Sequence, residues 1–119
     1  MSDPKQQAED HYYAALDLFG DGKQDQAIAE YEKCLKLDPS HSEALHGLAR
    51  AYQDMNRLDE SIDISKRLVK LDPDDVLAHT SLSIAYQKKG MIPEAEAAAN
   101  QARILGWKQQ LRGAKERSS

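Results

Sequence analysis

Between residues 42 and 54 the apolar positions Leu45, Leu48, Ala49 and Tyr52 recur at helical spacing, with Ala51 adjoining them. That is the signature of a helix burying one face. Asn56 interrupts the pattern, and a second apolar set, Ile62, Leu68, Val69 and Leu71, predicts another helix over about 59–70. Ser40 and Glu43 predict a capping box ahead of the first helix. Asp59 predicts an N-cap for the second. Pro73 closes the pair, because proline cannot continue the preceding helix.

The same pattern returns along the chain. Leu37-Asp38-Pro39 recurs as Leu71-Asp72-Pro73, a displacement of 34 residues. At that offset residues 8–41 and 42–75 share eight identities, among them Glu9/Glu43, Ile28/Ile62 and Lys36/Lys70. Residues 42–75 and 76–109 share seven, including Ala44/Ala78, Leu48/Leu82, Ala51/Ala85, Tyr52/Tyr86 and Gln53/Gln87. Gly22, Asn56 and Gly90 fall in one column, and all three residue types tolerate the positive φ of a tight inter-helix turn. Pro93 stands where the first turn of a helix accepts it.

The expected architecture is all-α: a solenoid of three helix–turn–helix units (8–41, 42–75 and 76–109) in a single domain, 1–119. Residues 107–117 then predict a short capping helix, with Trp107 and Leu111 at i, i+4. A terminal unit needs a cover, because each repeat has two packing faces. Glu96 and Arg103 replace the apolar residues of earlier units (Ile28/Ile62 and Leu35/Val69), which makes the last outward face polar. Asp17, against Ala51 and Ala85, makes the same accommodation at the other end.

A 34-residue helix–turn–helix unit with a closing proline resembles the tetratricopeptide repeat (TPR). The resemblance covers residues 8–109. Small residues stand at Ala15, Ala49 and Ser83, and again at Ala27, Ser61 and Ala95. Leu18, Tyr52 and Tyr86 fill the large-residue column, and Tyr31, Ser65 and Ala99 the aromatic one. Cys34, Leu68 and Ala102 take the small column of the second helix. Pro39 and Pro73 hold the proline column, which Trp107 occupies in the third unit. His11, Leu45 and His79 depart from the tryptophan frequent in the family.

The resemblance implies a right-handed superhelical array with a concave face lined by the first helix of each unit, holding a peptide or helix of another protein. The implied groove residues are Tyr12, Leu16 and Phe19; then Glu43, His46, Arg50 and Gln53; then Leu77, Thr80, Ile84 and Gln87. Their mixture suits an amphipathic segment, with apolar anchors and Arg50 fixing an acidic group. Members that clamp the carboxylate of chaperone tails carry a Lys/Asn/Asn/Lys/Arg set. The matching positions here are Tyr12, Leu16, Gly47, Leu77 and Ser81, and none agrees.

Composition narrows the picture further. Forty per cent of the 119 residues are hydrophobic and 30% charged, which favours a thin repeated core. Sixteen alanines suit close helix packing. A net charge of −4 argues against a nucleic-acid partner, whose footprint is a clustered basic surface. That charge is uneven: residues 1–39 carry four positive and nine negative groups, residues 74–119 seven and five. The basic tail of Arg103, Lys108, Arg112, Lys115 and Arg117 could meet the acidic front of a second copy, so a monomer or a weak homo-oligomer is expected. No apolar run is long enough for a membrane span. The first ten residues lack a signal peptide's apolar core, and a cytoplasmic location is expected.

Other chemistry is weakly supported. Gly20-Asp21-Gly22-Lys23 lacks the spacing and preceding strand of a phosphate loop. Started at Asp17, the same stretch fails as a calcium loop, since Phe19 and Ile28 occupy ligand positions. His41 and His46 are five apart and point to different helix faces, while His11 and His79 share a repeat column that packing explains. No metal and no cofactor are expected. Cys34, alone, sits in a core column as an inert thiol. No convergent acid, base and nucleophile exist, so the expected role is not enzymatic. The leading expectation is an adaptor or assembly scaffold binding a partner protein; its rival is a structural protein self-associating through its solenoid ends.

Overall fold

The computed structural model describes residues 3–118; residues 1, 2 and 119 of the predicted domain lie outside that range. Among the described residues there are six helices and no strand. They are α1 (Pro4–Gly20), α2 (Gln24–Leu37), α3 (Ser42–Asp54), α4 (Leu58–Leu71), α5 (Val76–Lys88) and α6 (Ile92–Ser118). Each pair α1/α2, α3/α4 and α5/α6 packs as a hairpin, and α2 meets α3 as α4 meets α5. The smallest extent, 24 Å, is two helices thick.

The turn column behaves as its residue types require. Gly22, Asn56 and Gly90 adopt φ of 78°, 59° and 83° between the helices of units one, two and three. Pro39 and Pro73 follow the ends of α2 and α4, where Asp38 and Asp72 occupy the C-cap.

Helix starts differ from the predicted caps. The α3 N-cap is His41, not Ser40: its Nδ1 accepts the Ala44 N–H at 3.1 Å. Asp75 and Asp3 cap α5 and α1 through carboxylate oxygens. Asp59 lies inside the first turn of α4 instead of capping it, where its charge still favours the helix N-terminus.

Small residues let the helices of a unit approach. Ala15, Ala27, Ala49 and Ser61 are buried. Ser61 Oγ donates to the Ala49 carbonyl at 2.9 Å, and one unit later Ser83 Oγ donates to Ala95 at 2.8 Å. The two columns are joined in both units, with the donor exchanged between them. Tyr31, Leu45 and Leu68 are the bulky, fully buried residues around this framework. Tyr31 reaches α3 at Gly47, where an added β-carbon would overlap its phenol ring.

The third unit ends otherwise than expected. No separate cap forms over residues 107–117, because α6 runs 27 residues without a break. Where α2 and α4 stop at Asp-Pro, α6 has Gly106 and Trp107, which leave the helix free to continue. Leu105 is buried, but Trp107 is 66% exposed and Leu111 lies open beside it. Gln109 Nε2 donates to the Asp74 carbonyl at 3.1 Å, tying the extension to the α4–α5 loop. Glu96 and Arg103 are exposed, as their polarity requires.

Candidate partner-binding groove

The first helices of the units form one face. The backbone of α3 comes close to those of both α1 and α5, whereas the backbones of α2, α4 and α6 stay farther from one another. The array therefore bends toward α1, α3 and α5, which makes their outer surface the concave one.

Three aliphatic side chains stand open on these helices: Leu16 (40% exposed), Leu77 (65%) and Ile84 (38%). Phe19 differs, being half-buried and packed against the core. Tyr12 is also half-buried. Its ring lies 4.9 Å from that of His41, 5.4 Å from Tyr13 and 6.3 Å from Tyr31. Burial, helped by the nearby Glu43 charge, raises the Tyr12 phenol above its ordinary pKa. Tyr13 is well exposed next to it, in the repeat column of Gly47 and Ser81.

Four of the polar members are held by residues outside the predicted set. His46 Nε2 lies 2.7 Å from Asp75 Oδ2, a link between α3 and the cap of α5. Gln53 Nε2 donates to the Ser81 carbonyl at 3.5 Å, again between units. Thr80 Oγ1 donates to its own helix at Val76. Arg50, largely exposed, has Nε 3.5 Å from Asp54 Oδ1. Glu43 and Gln87 extend into solvent.

Glu9, His41 and Glu43 bring ligand-type atoms within 4.8 Å of one another, a cluster that local spacing could not reveal because Glu9 is 32 residues from His41. The hydrogen bonds define its chemistry. A backbone N–H can only donate, so Nδ1 of His41 is the acceptor and the proton of the neutral ring sits on Nε2, which donates to Glu9. Neither ring nitrogen offers a free lone pair, and the cluster is a joint between α1 and α3. His11 makes a similar joint within unit one: its Nδ1 is 2.6 Å from Glu30 Oε2. That hydrogen bond, followed by Lys33, holds the Glu30 carboxyl below the usual range against the opposing effect of burial. His79 is buried, with Nε2 against the Pro73 carbonyl.

Away from this face, α2, α3 and α4 enclose a cleft of about 330 Å³ floored by Leu35, Leu48, Tyr52 and Ile64. Tyr52 donates to Glu32 at 2.9 Å, and its phenol is pushed up to about 12, chiefly by burial and then by that carboxylate. Cys34 is buried, and burial pushes its thiol up to about 11, with Asp38, Glu9 and Glu43 adding to the effect.

The sequence matches the family model described as tetratricopeptide repeat over residues 18–82. The chain belongs to the tetratricopeptide repeat family. No curated protein matches it. Among solved TPR-like structures, MamA superposes with a TM-score of 0.85 at 23% identity, over 91% of this chain and 63% of that one. The second TPR of Spaghetti (RPAP3), bound to the HSP90 peptide SRMEEVD, gives 0.80 at 23%, over 85% and 94%. The Yersinia enterocolitica type III secretion translocator chaperone SycD gives 0.81 at 22%, over 94% and 86%. At these identities the likeness establishes the TPR fold.

Proposed function

We propose that this TPR chain is a protein-interaction module that holds a peptide or helix of a partner protein on the face of α1, α3 and α5, as an adaptor or assembly scaffold. The observation that carries this reading is the exposure of Leu16, Leu77 and Ile84 on one concave surface. Isolated exposed apolar residues are ordinary, but three on the inner face of a curved array supply anchors for an amphipathic segment. Arg50 stands between them. Its pairing with Asp54 is solvent-exposed and therefore weak, so an acidic group of the ligand competes for it at little cost.

The ligand differs from the chaperone-tail class. Tyr12, Leu16, Gly47, Leu77 and Ser81 supply no cation where a carboxylate clamp needs them, and Gly47 is filled by the Tyr31 ring. The half-burial of Phe19 leaves Leu16 and Tyr13 as the apolar contacts of unit one.

Photo-crosslinkers at positions 16 and 84, with one at Lys66 on α4 for contrast, test this in the full chain. Partner segments are expected to label from 16 and 84 only. The captured segment, made as a peptide, is expected to bind the Leu16→Asp/Ile84→Asp variant at least about tenfold more weakly. Arg50→Glu should also weaken binding while leaving thermal stability unchanged. Labelling confined to Lys66 would place the function on the opposite face.

A further inference from the structure

The outer face of α6 carries a pattern that neither the solenoid nor the groove uses. Ala97, Asn100, Ile104, Trp107, Leu111 and Ala114 succeed one another at alternating intervals of three and four residues, a heptad seam along nearly the whole helix. All six are exposed. Ile104 and Leu111 are 47% and 56% exposed, with Trp107 more open still, while Ala98 and Leu105 turn to the opposite, buried side. A helix with two apolar faces has one more than its own unit can cover.

The charges beside this seam are ordered. One edge carries Glu96, Arg103, Gln110 and Arg117 at seven-residue spacing, and the other carries Glu94, Gln101, Lys108 and Lys115. Both edges are acidic near the start of α6 and basic near its end. Two such helices side by side in the same direction would set Arg103 against Lys108 and give neither glutamate a basic partner on the facing α6. Running in opposite directions, Glu94 meets Lys115 of the second copy and Glu96 meets Arg117. Each contact occurs twice by symmetry. The same register seats Ile104 of one copy on Trp107 of the other, Asn100 on Leu111 and Ala97 on Ala114.

We infer that two copies of this chain associate through α6, paired antiparallel about a two-fold axis near Ile104 and Trp107. The contact is isologous, so it closes as a dimer and does not propagate. It leaves the face of α1, α3 and α5 free, and it stands independently of partner binding there. Asn100, set against Leu111 within an otherwise apolar seam, lowers the affinity. Trp107, unused as an internal cap, becomes the central anchor, in keeping with the prominence of tryptophan at interface centres.

Sedimentation equilibrium of the full chain from micromolar to near-millimolar concentration tests this, with circular dichroism to check helicity. The wild type should pass from monomer to dimer mass. Trp107→Glu should raise the dimer dissociation constant at least about tenfold with unchanged helicity, since its side chain is solvent-exposed in the monomer. Glu94→Lys/Glu96→Lys should do the same, and adding Lys115→Glu/Arg117→Glu should restore the dimer. A wild type that stays monomeric throughout, or a Trp107→Glu variant that dimerises like it, overturns the pairing. Failure of the fourfold variant to recover would refute the antiparallel arrangement. None of these readouts depends on the groove, so they leave the partner-binding reading separately testable.

Discussion

Glu9 in α1 accepts a hydrogen bond from His41, the residue that caps α3, and so the first two units are joined at the point where the second begins. His41 meets both demands because its ring has two nitrogens: Nδ1 serves the Ala44 amide while Nε2 reaches Glu9. One unit later, Asp75 caps α5 and pairs with His46 of α3, acid and base having exchanged places.

His41→Ala should therefore lose a cap and an inter-unit tie together, at a cost of about 1–2 kcal/mol from the cap alone. His41→Asn restores an acceptor for the helix start without the reach to Glu9, and should recover part of that loss. Urea unfolding measures both. Equal stabilities for the two variants would mean that the cap contributes nothing.

Gly47→Ala sets helix propensity against packing. In an exposed helix the change is worth about 1 kcal/mol of stabilisation. Here the new methyl meets the Tyr31 ring, and Tyr31 is too buried to swing away. Overpacking of about 1–3 kcal/mol should win, so the variant unfolds at lower urea. Tyr31→Leu in the same chain should reduce that penalty; a stabilised single variant would show that the ring moves freely.

Ser65→Ala should raise stability. The hydroxyl is fully buried and has no hydrogen-bond partner among the described residues. Its desolvation penalty is on the order of 1–3 kcal/mol, and the methyl group that replaces it adds helix propensity. A calorimetric Tm below that of the wild type would reveal an unseen partner.

Cys34 should resist alkylation in the folded chain. With the thiol held at about 11, the thiolate fraction is small near neutrality and grows only as pH rises toward that value. Burial also blocks access. Iodoacetamide labelling followed by mass spectrometry should be slow at pH 8 and become fast once urea unfolds the protein. Rapid labelling without denaturant would contradict the buried, inert assignment.

Much of the fold is legible from residues 8–109 because the determinants are local. Helical spacing, a positive-φ turn at Gly22, Asn56 and Gly90, and Asp-Pro stops after α2 and α4 each act within a few residues. Part of the candidate surface is legible too: Leu16 and Ile84 are accessible, as expected of them, and so is Arg50. Phe19 is not free, because whether a residue at the edge of a helix face is covered depends on the neighbouring helix. His41 as a cap was obscured by Ser40 and Glu43, which form a commoner capping pattern than histidine does.

The sequence alone determined three helix pairs, their turns and their small-residue seams, since period and backbone preference are properties of short windows. It also held the reason that α6 does not stop: Gly106-Trp107 stands where Asp-Pro ends the earlier second helices, and Gln109 replaces His41 and Asp75 in the column that caps α3 and α5. With neither a breaker nor a good N-cap, the helix continues. Only the tertiary structure decided which side chains meet across units, such as His41 with Glu9 and Gln109 with Asp74. Those meetings depend on how whole helices are placed by the packing of their neighbours. That same placement leaves Trp107 outside the core it was expected to cover.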